Sequence, residues 1–287
     1  MQSPREIRRR IRSVSATAQI TRAMQMVAAS KMRKAQDAAL AGRPFVQLLY
    51  RILRTASRSD AFEHPLLETR EVRRRGVALV AADKGLCGAL NTNVFRVAAQ
   101  YDPASTVFVT AGRRAAQFVA RSGRRLAAEF SYADTPTFAE ARAIASFARD
   151  LFLKREVDEV KVVATRFVNT LTQEAGSIEL LPIGEIRSLK IPGVDSEQPS
   201  STDGLEILFE RAPEGDLGFI LSQYLNIFVY QVLLNAKASE QSARMVSMKN
   251  ATDSAEGLIK DLTLEYNKLR QGNITKELLE IAGGQSE

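Results

Sequence analysis

The sequence predicts an α/β protein with a long antiparallel coiled coil formed by the helices at its two ends. Neither glycine nor proline occurs in residues 5–41, and a single glycine interrupts residues 219–271. Globular helices usually run about 8–20 residues, so these two stretches are longer than a compact domain needs. Between them, short β-branched segments alternate with segments of helical pattern, which is typical of a largely parallel sheet with helices on its faces.

The N-terminal helix is predicted to begin at Pro4. Ser3 suits the N-cap, Pro4 suits the first helical position, and Glu6 completes a capping box. After it, apolar and small residues recur at spacings of three and four, the 3.5-residue period of a left-handed coiled coil. This seam consists of Ile7, Ile11, Val14, Ala18, Thr21, Gln25, Ala28, Met32, Ala35 and Ala39.

A second apolar row, at Ile20, Met24 and Val27, lies one position away from this seam. In a rod of only two helices the row would be half exposed, and exposed apolar patches commonly mark interaction surfaces. The row therefore predicts contact with a partner outside the rod, although a contact within the chain is the alternative.

The C-terminal helix carries a matching seam over three heptads. Its members are Met245, Met248, Thr252, Ala255, Ile259, Leu262, Tyr266 and Leu269. Residues 1–60 hold 13 Lys and Arg against 3 Asp and Glu, whereas residues 214–287 hold 7 against 10. The basic first helix would thus lie against a mildly acidic last one. Two amphipathic helices of an ordinary bundle are the alternative.

The middle of the chain predicts a Rossmann-like α/β domain with a mixed, mainly parallel sheet. The predicted strands are 76–82, 105–111, 159–167 and 176–183, and the predicted helices are 90–100, 112–121 and 138–153. Turn residues between the last two strands predict a hairpin, residues 191–204 an exposed loop, and residues 205–210 a late strand or the start of the long helix. The expected domains are therefore 1–60, 61–213 and 214–287.

Composition excludes several classes of function. The chain has one cysteine and one histidine, which rules out an internal disulfide and leaves too few ligands for a zinc site. The most apolar stretch, residues 219–234, is shorter than the roughly 20 residues that a bilayer needs, and a helix buried in protein is expected instead. The basic N-terminal segment admits three explanations: an arm that binds nucleic acid, a targeting peptide, or a helix that faces an acidic partner.

A glycine-bearing segment, residues 83–91, follows the first predicted strand, where many proteins hold a phosphate. It has neither the spacing and terminal lysine of a Walker loop nor the third glycine of a dinucleotide turn. We therefore expect a tight turn in which Gly85 and Gly88 permit left-handed or crowded backbone. No nucleotide, cofactor or metal is predicted to bind, and an enzyme that uses this segment is the weakest alternative.

Two helical motifs carry a family resemblance, "ITRAMQMVAASKMRKAQ" (20–36) and the segment 238–284. Together with "DKGLCGALN" (83–91) and "FILSQYLNIFVYQVLLNA" (219–236), they resemble the gamma subunit of F-type ATP synthases of the bacterial type. The resemblance extends from about Pro4 to Gly284. It implies an antiparallel coiled coil joined to an α/β domain, which is also what the periodicities predict.

The resemblance implies a rotor. In that family the gamma subunit is a non-catalytic central shaft that couples ion flow to ATP synthesis or hydrolysis. Its partners are three alpha and three beta subunits, the epsilon subunit and the c-subunit ring. The implied location is peripheral, at the cytoplasmic face of a bacterial inner membrane. A basic coiled-coil protein that binds nucleic acid is the alternative.

The resemblance also implies which residues contact the catalytic ring. Matched motif by motif, these rotor–stator contacts are Arg22, Met24, Arg244, Arg270, Gln271, Thr275 and Glu277.

Overall fold

The computed structural model describes residues 3–42, 44–49, 64–183 and 213–283. Two long helices, α1 (Pro4–Ala41) and α5 (Pro213–Gly283), contribute to both of its compact units. One unit comprises Met1–Ala28 and Arg244–Glu287, and the other comprises Ala29–Ala243. The division into compact units falls inside the two helices, and the domain boundaries near residues 60 and 213 stay predictions. The predicted loop 191–204 and the segment 205–210 lie outside the described residues.

The first unit is an antiparallel helix pair. The Arg8 guanidinium lies 5.9 Å from the centroid of the Tyr266 ring, and the hydroxyls of Thr21 and Thr252 are 2.7 Å apart. Because the earlier residue of α1 meets the later residue of α5, the two helices run in opposite directions. Side chains at the heptad positions are withdrawn from solvent. Fully buried are Ile7, Ala18, Thr21, Ala28, Met248, Thr252, Ala255 and Leu262, and half-buried are Ile11, Val14, Met245, Ile259 and Leu269. Small residues among them allow close approach of the two helices.

The second unit contains a five-stranded sheet in the order β3-β2-β1-β4-β5. Its strands are β1 (Arg75–Val80), β2 (Thr106–Ala111), β3 (Arg125–Phe130), β4 (Glu159–Phe167) and β5 (Gln173–Leu181). All neighbouring pairs are parallel except β4 and β5, which form the predicted hairpin. The structure thus confirms the mixed, mainly parallel sheet and adds β3, an edge strand that the sequence analysis missed.

Between the two long helices, the described residues include α2 (Leu90–Ala99), α3 (Arg113–Arg121) and α4 (Phe138–Leu153), which accompany the sheet. Side chains alternate across β1, as a strand requires. Val77 and Leu79 pack with residues of α2 and α3, whereas Ala78 and Val80 pack with residues of α4 and α5. Both faces of the sheet are covered, which explains why the central strand is apolar throughout.

Helix α4 begins where its sequence predicts. The Thr137 hydroxyl accepts a hydrogen bond from the Glu140 backbone N–H, and the Glu140 carboxylate accepts one in return from the Thr137 N–H. This capping box satisfies two backbone donors at the start of the helix.

From Tyr224 to Ser242, helix α5 is buried on almost every side. Within the described residues, one helical segment, Gly218–Thr275, is long and apolar enough to cross a membrane by length and composition. Its most apolar window is 72% buried inside the chain, which is typical of a core helix.

Candidate functional site

The glycine-bearing segment follows the carboxyl end of β1, the edge where nucleotide-binding sheets place their phosphate site. Here that position is filled from within the chain. The Asp83 carboxylate accepts a hydrogen bond from the backbone N–H of Arg113 at the start of α3, at 2.8 Å. The Asn91 side chain accepts one from the Ala82 N–H, at 3.1 Å. Backbone donors that could hold a phosphate are therefore bonded to the segment's own side chains.

The turn uses its residues differently from the prediction. Gly88 is left-handed, with φ of 59°, as expected, and Leu86 shares that conformation with φ of 64°. Gly85 is neither left-handed nor crowded, because an added Cβ would meet only an Arg114 nitrogen at 3.5 Å. The chain is far more crowded at Gly112, at the end of β2, where an added Cβ would lie 2.0 Å from the Ala81 carbonyl oxygen.

The same turn is anchored to the core. Cys87 is buried with Ala82 and Leu90, and Ala243 of α5 packs against this small cluster. The Asn91 side-chain amide also lies 3.5 Å from the Cys87 sulfur. These contacts describe an architectural turn. In the described ranges, no group of three His, Cys, Asp or Glu side chains is placed to hold a metal ion.

The predicted rotor–stator contacts do not form a single site. Arg244 and Arg270 are about 39 Å apart along α5 at its helical rise. Arg22 lies at the level of Glu256, to which it is ion-paired, and Met24 is half-buried two residues further along α1. The structure therefore separates Arg22 and Met24 from the distal set formed by Arg270, Gln271, Thr275 and Glu277.

The members of these groups differ in exposure. Arg244 is buried, whereas Arg270, Gln271 and Thr275 are exposed. The Thr275 hydroxyl donates to the Gln271 carbonyl oxygen at 2.9 Å, one turn earlier in the helix. Glu277 lies within α5, and its side chain is outside the described residues.

The coiled-coil unit exposes large apolar side chains. Ile20 and Val27 of the predicted second row are 60% and 54% exposed. Met26, which the sequence analysis did not single out, is 62% exposed and lies about 100° around the helix from Val27. The only sequence signal that could have identified Met26 as an exposed apolar residue is its position next to Val27. Helix α5 contributes further exposed residues, namely Leu258, Leu264, Ile274, Leu278 and Leu279. So much exposed apolar surface is typical of an interaction face.

These features define a class of protein. Its terminal helices pair as an antiparallel coiled coil that exposes large apolar side chains among charged ones, and the remainder of both helices belongs to an α/β unit. This is the organisation of a structural shaft subunit, whose candidate functional surface is the outside of the coil.

Comparison with known proteins gives the family. The ATP synthase family model matches residues 3–286. The ATP synthase gamma chain of Opitutus terrae is 46% identical, with 99% of this chain and 98% of the relative covered. That of Methylacidiphilum infernorum is 41% identical, with 99% of each chain covered. The chain belongs to the ATP synthase gamma-chain family.

Solved structures share the fold. A chain from the Euglena gracilis mitochondrial ATP synthase, in its OSCP/F1/c-ring structure, aligns with a TM-score of 0.68 at 20% identity, over 99% of this chain and 93% of that one. A chain from the central stalk and c-ring of the Tetrahymena thermophila enzyme aligns with a TM-score of 0.60 at 23% identity, over 81% and 99%.

Proposed function

We propose that this gamma chain is the rotating central shaft that couples transmembrane ion flow to ATP synthesis and hydrolysis. The observation that carries the proposal is the exposed apolar exterior of the coil, most of all Ile20, Met26 and Val27. Apolar side chains exposed to this extent favour a surrounding protein sleeve over bulk water. A ring of three alpha and three beta subunits is the partner that the family membership suggests.

Asymmetry of the shaft would provide the coupling. Two unlike helices have no threefold symmetry, so each of three sites around them meets a different side of the coil. The exposed row on α1 would face one site at a time, while the acidic and polar surface of α5 faces the others. Rotation then changes which catalytic site is open, tight or loose.

Within this proposal the chain itself performs no catalysis. The internal hydrogen bond between Asp83 and the start of α3 supports this, because it fills the place where a bound phosphate would lie. The epsilon subunit and the c-subunit ring would bind elsewhere on the chain. We place the subunit at the cytoplasmic face of a bacterial inner membrane, held there through these partners.

The predicted contacts with the ring would fall at separate levels of the helices. Arg22 and Met24 form one group, and Arg270, Gln271, Thr275 and Glu277 form the distal group. Arg244, which is buried, lies about 18 Å along α5 from the level of Glu256, the partner of Arg22. Because Arg22 is already paired with Glu256, a contact from the ring would have to compete with that ion pair. The distal residues Arg270 and Gln271 are exposed and available for contact.

The test is purification of the tagged chain from its native membrane. Alpha, beta and epsilon subunits should co-purify, and the complex should hydrolyse ATP and drive ion uptake into inverted vesicles. If the chain is isolated without these subunits, the shaft proposal fails. Binding of the isolated chain to DNA with a steep salt dependence would favour the nucleic-acid alternative, for which the exposed arginines near the N-terminus provide the charge.

A further inference from the structure

A cluster of charged side chains joins both long helices to one loop of the sheet. Asp134 lies in the connection between β3 and α4. Its Oδ2 accepts a hydrogen bond from Lys31 Nζ of α1 at 2.5 Å, and its Oδ1 lies 3.4 Å from Lys237 Nζ of α5. One carboxylate thus contacts both helices. The hydrogen bond from Lys31 lowers the pKa of Asp134, so the carboxylate is ionised at neutral pH.

Lys237 is an unusual member of this cluster, because only 1% of it is exposed. Besides Asp134, its ammonium lies 3.0 Å from Glu240 Oε2 and 5.1 Å from the centroid of the Tyr132 ring. The Tyr132 hydroxyl in turn donates to the Ala81 carbonyl oxygen just after β1, at 3.1 Å. A buried cation that loses its partners is strongly unfavourable, so Lys237 is held to this position.

The loop that carries Asp134 is itself fixed. The backbone N–H of Ala133 donates to Glu140 Oε1 at 2.9 Å, and Glu140 also completes the capping box of α4. Asp134 therefore belongs to a loop that is tied to the first turn of a helix.

Apolar packing also holds α5 against the sheet, through buried residues such as Phe228, Val232 and Leu233. The contacts to Asp134 add a constraint of another kind. Apolar contact is non-directional, whereas a charge-assisted hydrogen bond depends on both distance and angle. Contacts to the Asp134 carboxylate therefore resist rotation and sliding of the helices against the sheet.

We propose that Asp134 is a positioning residue, which holds α1 and α5 in one rotational setting on the α/β unit so that torque passes between them without slippage. The inference rests on the proposed shaft function. It predicts a defect that depends on mechanical load, since an unloaded rotor needs little stiffness here.

The experiment uses the complete complex in inverted membrane vesicles. We expect Asp134→Asn to assemble as the parent does and to hydrolyse ATP at the parent's rate when an uncoupler removes the gradient. Ion uptake per ATP hydrolysed should fall by about twofold or more as the gradient builds, the scale of one exposed ion pair. Lys31→Met removes only one of the two contacts and should give part of this loss. The double variant should be no worse than Asp134→Asn, which already lacks the charged contact to Lys31.

Two further variants complete the design. Asp134→Glu should restore most of the loaded coupling. Glu174→Gln is the control, since Glu174 forms an ion pair of 2.7 Å with Arg166 across the β4–β5 hairpin and contacts neither long helix through it. It should pump as the parent does.

Equal pumping by Asp134→Asn and the parent would overturn the inference. So would a parallel fall in assembly, unloaded hydrolysis and pumping, which would indicate a merely structural role. A parent complex that hydrolyses ATP but never pumps would overturn the shaft function itself, and the inference with it.

Discussion

At the scale of single residues, glycines show why backbone position matters more than motif membership. Gly112 has φ of 98°, and an added Cβ would lie 2.0 Å from a backbone oxygen of the neighbouring strand's end. Gly85, although it belongs to the recognisable turn, is under no such constraint. The destabilisation caused by adding a side chain at a glycine depends on the local φ angle and on the room around the new Cβ. A sequence motif reports neither.

We expect Gly112→Ala to lower the free energy of unfolding by about 3 kcal/mol or more, because it adds a backbone clash to left-handed strain. Gly123→Ala is the matched control, with φ of 64° but open space around the new Cβ, and should cost about 1–2 kcal/mol. Gly85→Ala should cost less than either. Urea unfolding of the purified chains measures all three, and equal midpoints for Gly112→Ala and Gly123→Ala would contradict the argument.

Asp134 gives a second residue-scale prediction, for acid stability. Its pKa is lowered below the ordinary 3.8, chiefly by the hydrogen bond from Lys31. A lowered folded-state pKa means that the contribution is present above the unfolded-state pKa and is lost as pH falls through the folded-state value. The difference in melting temperature between the parent and Asp134→Asn should therefore be constant from pH 7 to about pH 5 and shrink below pH 4. A difference that widens in acid would exclude this assignment.

At the scale of secondary-structure elements, the strands whose side chains are buried were the easiest to predict from the sequence. Strands β1, β2 and β4 were predictable because their β-branched residues are packed into the core. Strand β5 is mostly exposed and was found through the turn residues of its hairpin and its apolar end. Strand β3 was not, because Arg125–Phe130 is a mostly exposed edge strand whose alanines also suit a helix. The contact between Lys31 and Asp134 joins residues 103 positions apart, and no local pattern encodes it. The pairing of α1 with α5, by contrast, can be predicted from the heptad pattern of the two helices.

Two leucines of α5 test the heptad assignment within one turn of helix. Leu262 is buried against α1, whereas Leu264 is 69% exposed. Leu262→Asp would bury a charge in the seam at a cost of several kcal/mol, and the two helices should separate. Leu264→Asp should leave the pair intact. Helicity by circular dichroism and the melting temperature distinguish them, and a stable Leu262→Asp chain would refute the seam.

At the scale of the whole molecule, stability and assembly depend on different surfaces. The seam and the sheet core hold the chain together, whereas the exposed row on α1 contributes little to either. Selective loss of assembly is therefore the expected result of changing that row. Charged substitutions at buried seam positions should instead lower stability and assembly together.

The double substitution Ile20→Gln and Val27→Gln tests this separation. Both side chains are more than half exposed, so the melting temperature of the purified chain should change by less than about 2 °C, within the range of ordinary surface substitutions. Loss of two apolar contacts with a surrounding ring should reduce the yield of assembled, ATP-hydrolysing complex. Leu171→Gln is the control, because Leu171 is 80% exposed but lies in the β4–β5 loop and not on α1. Normal assembly of the double variant would remove this row from the proposed contact surface. A lowered melting temperature would instead show that the row packs within the chain, the alternative left open by the sequence.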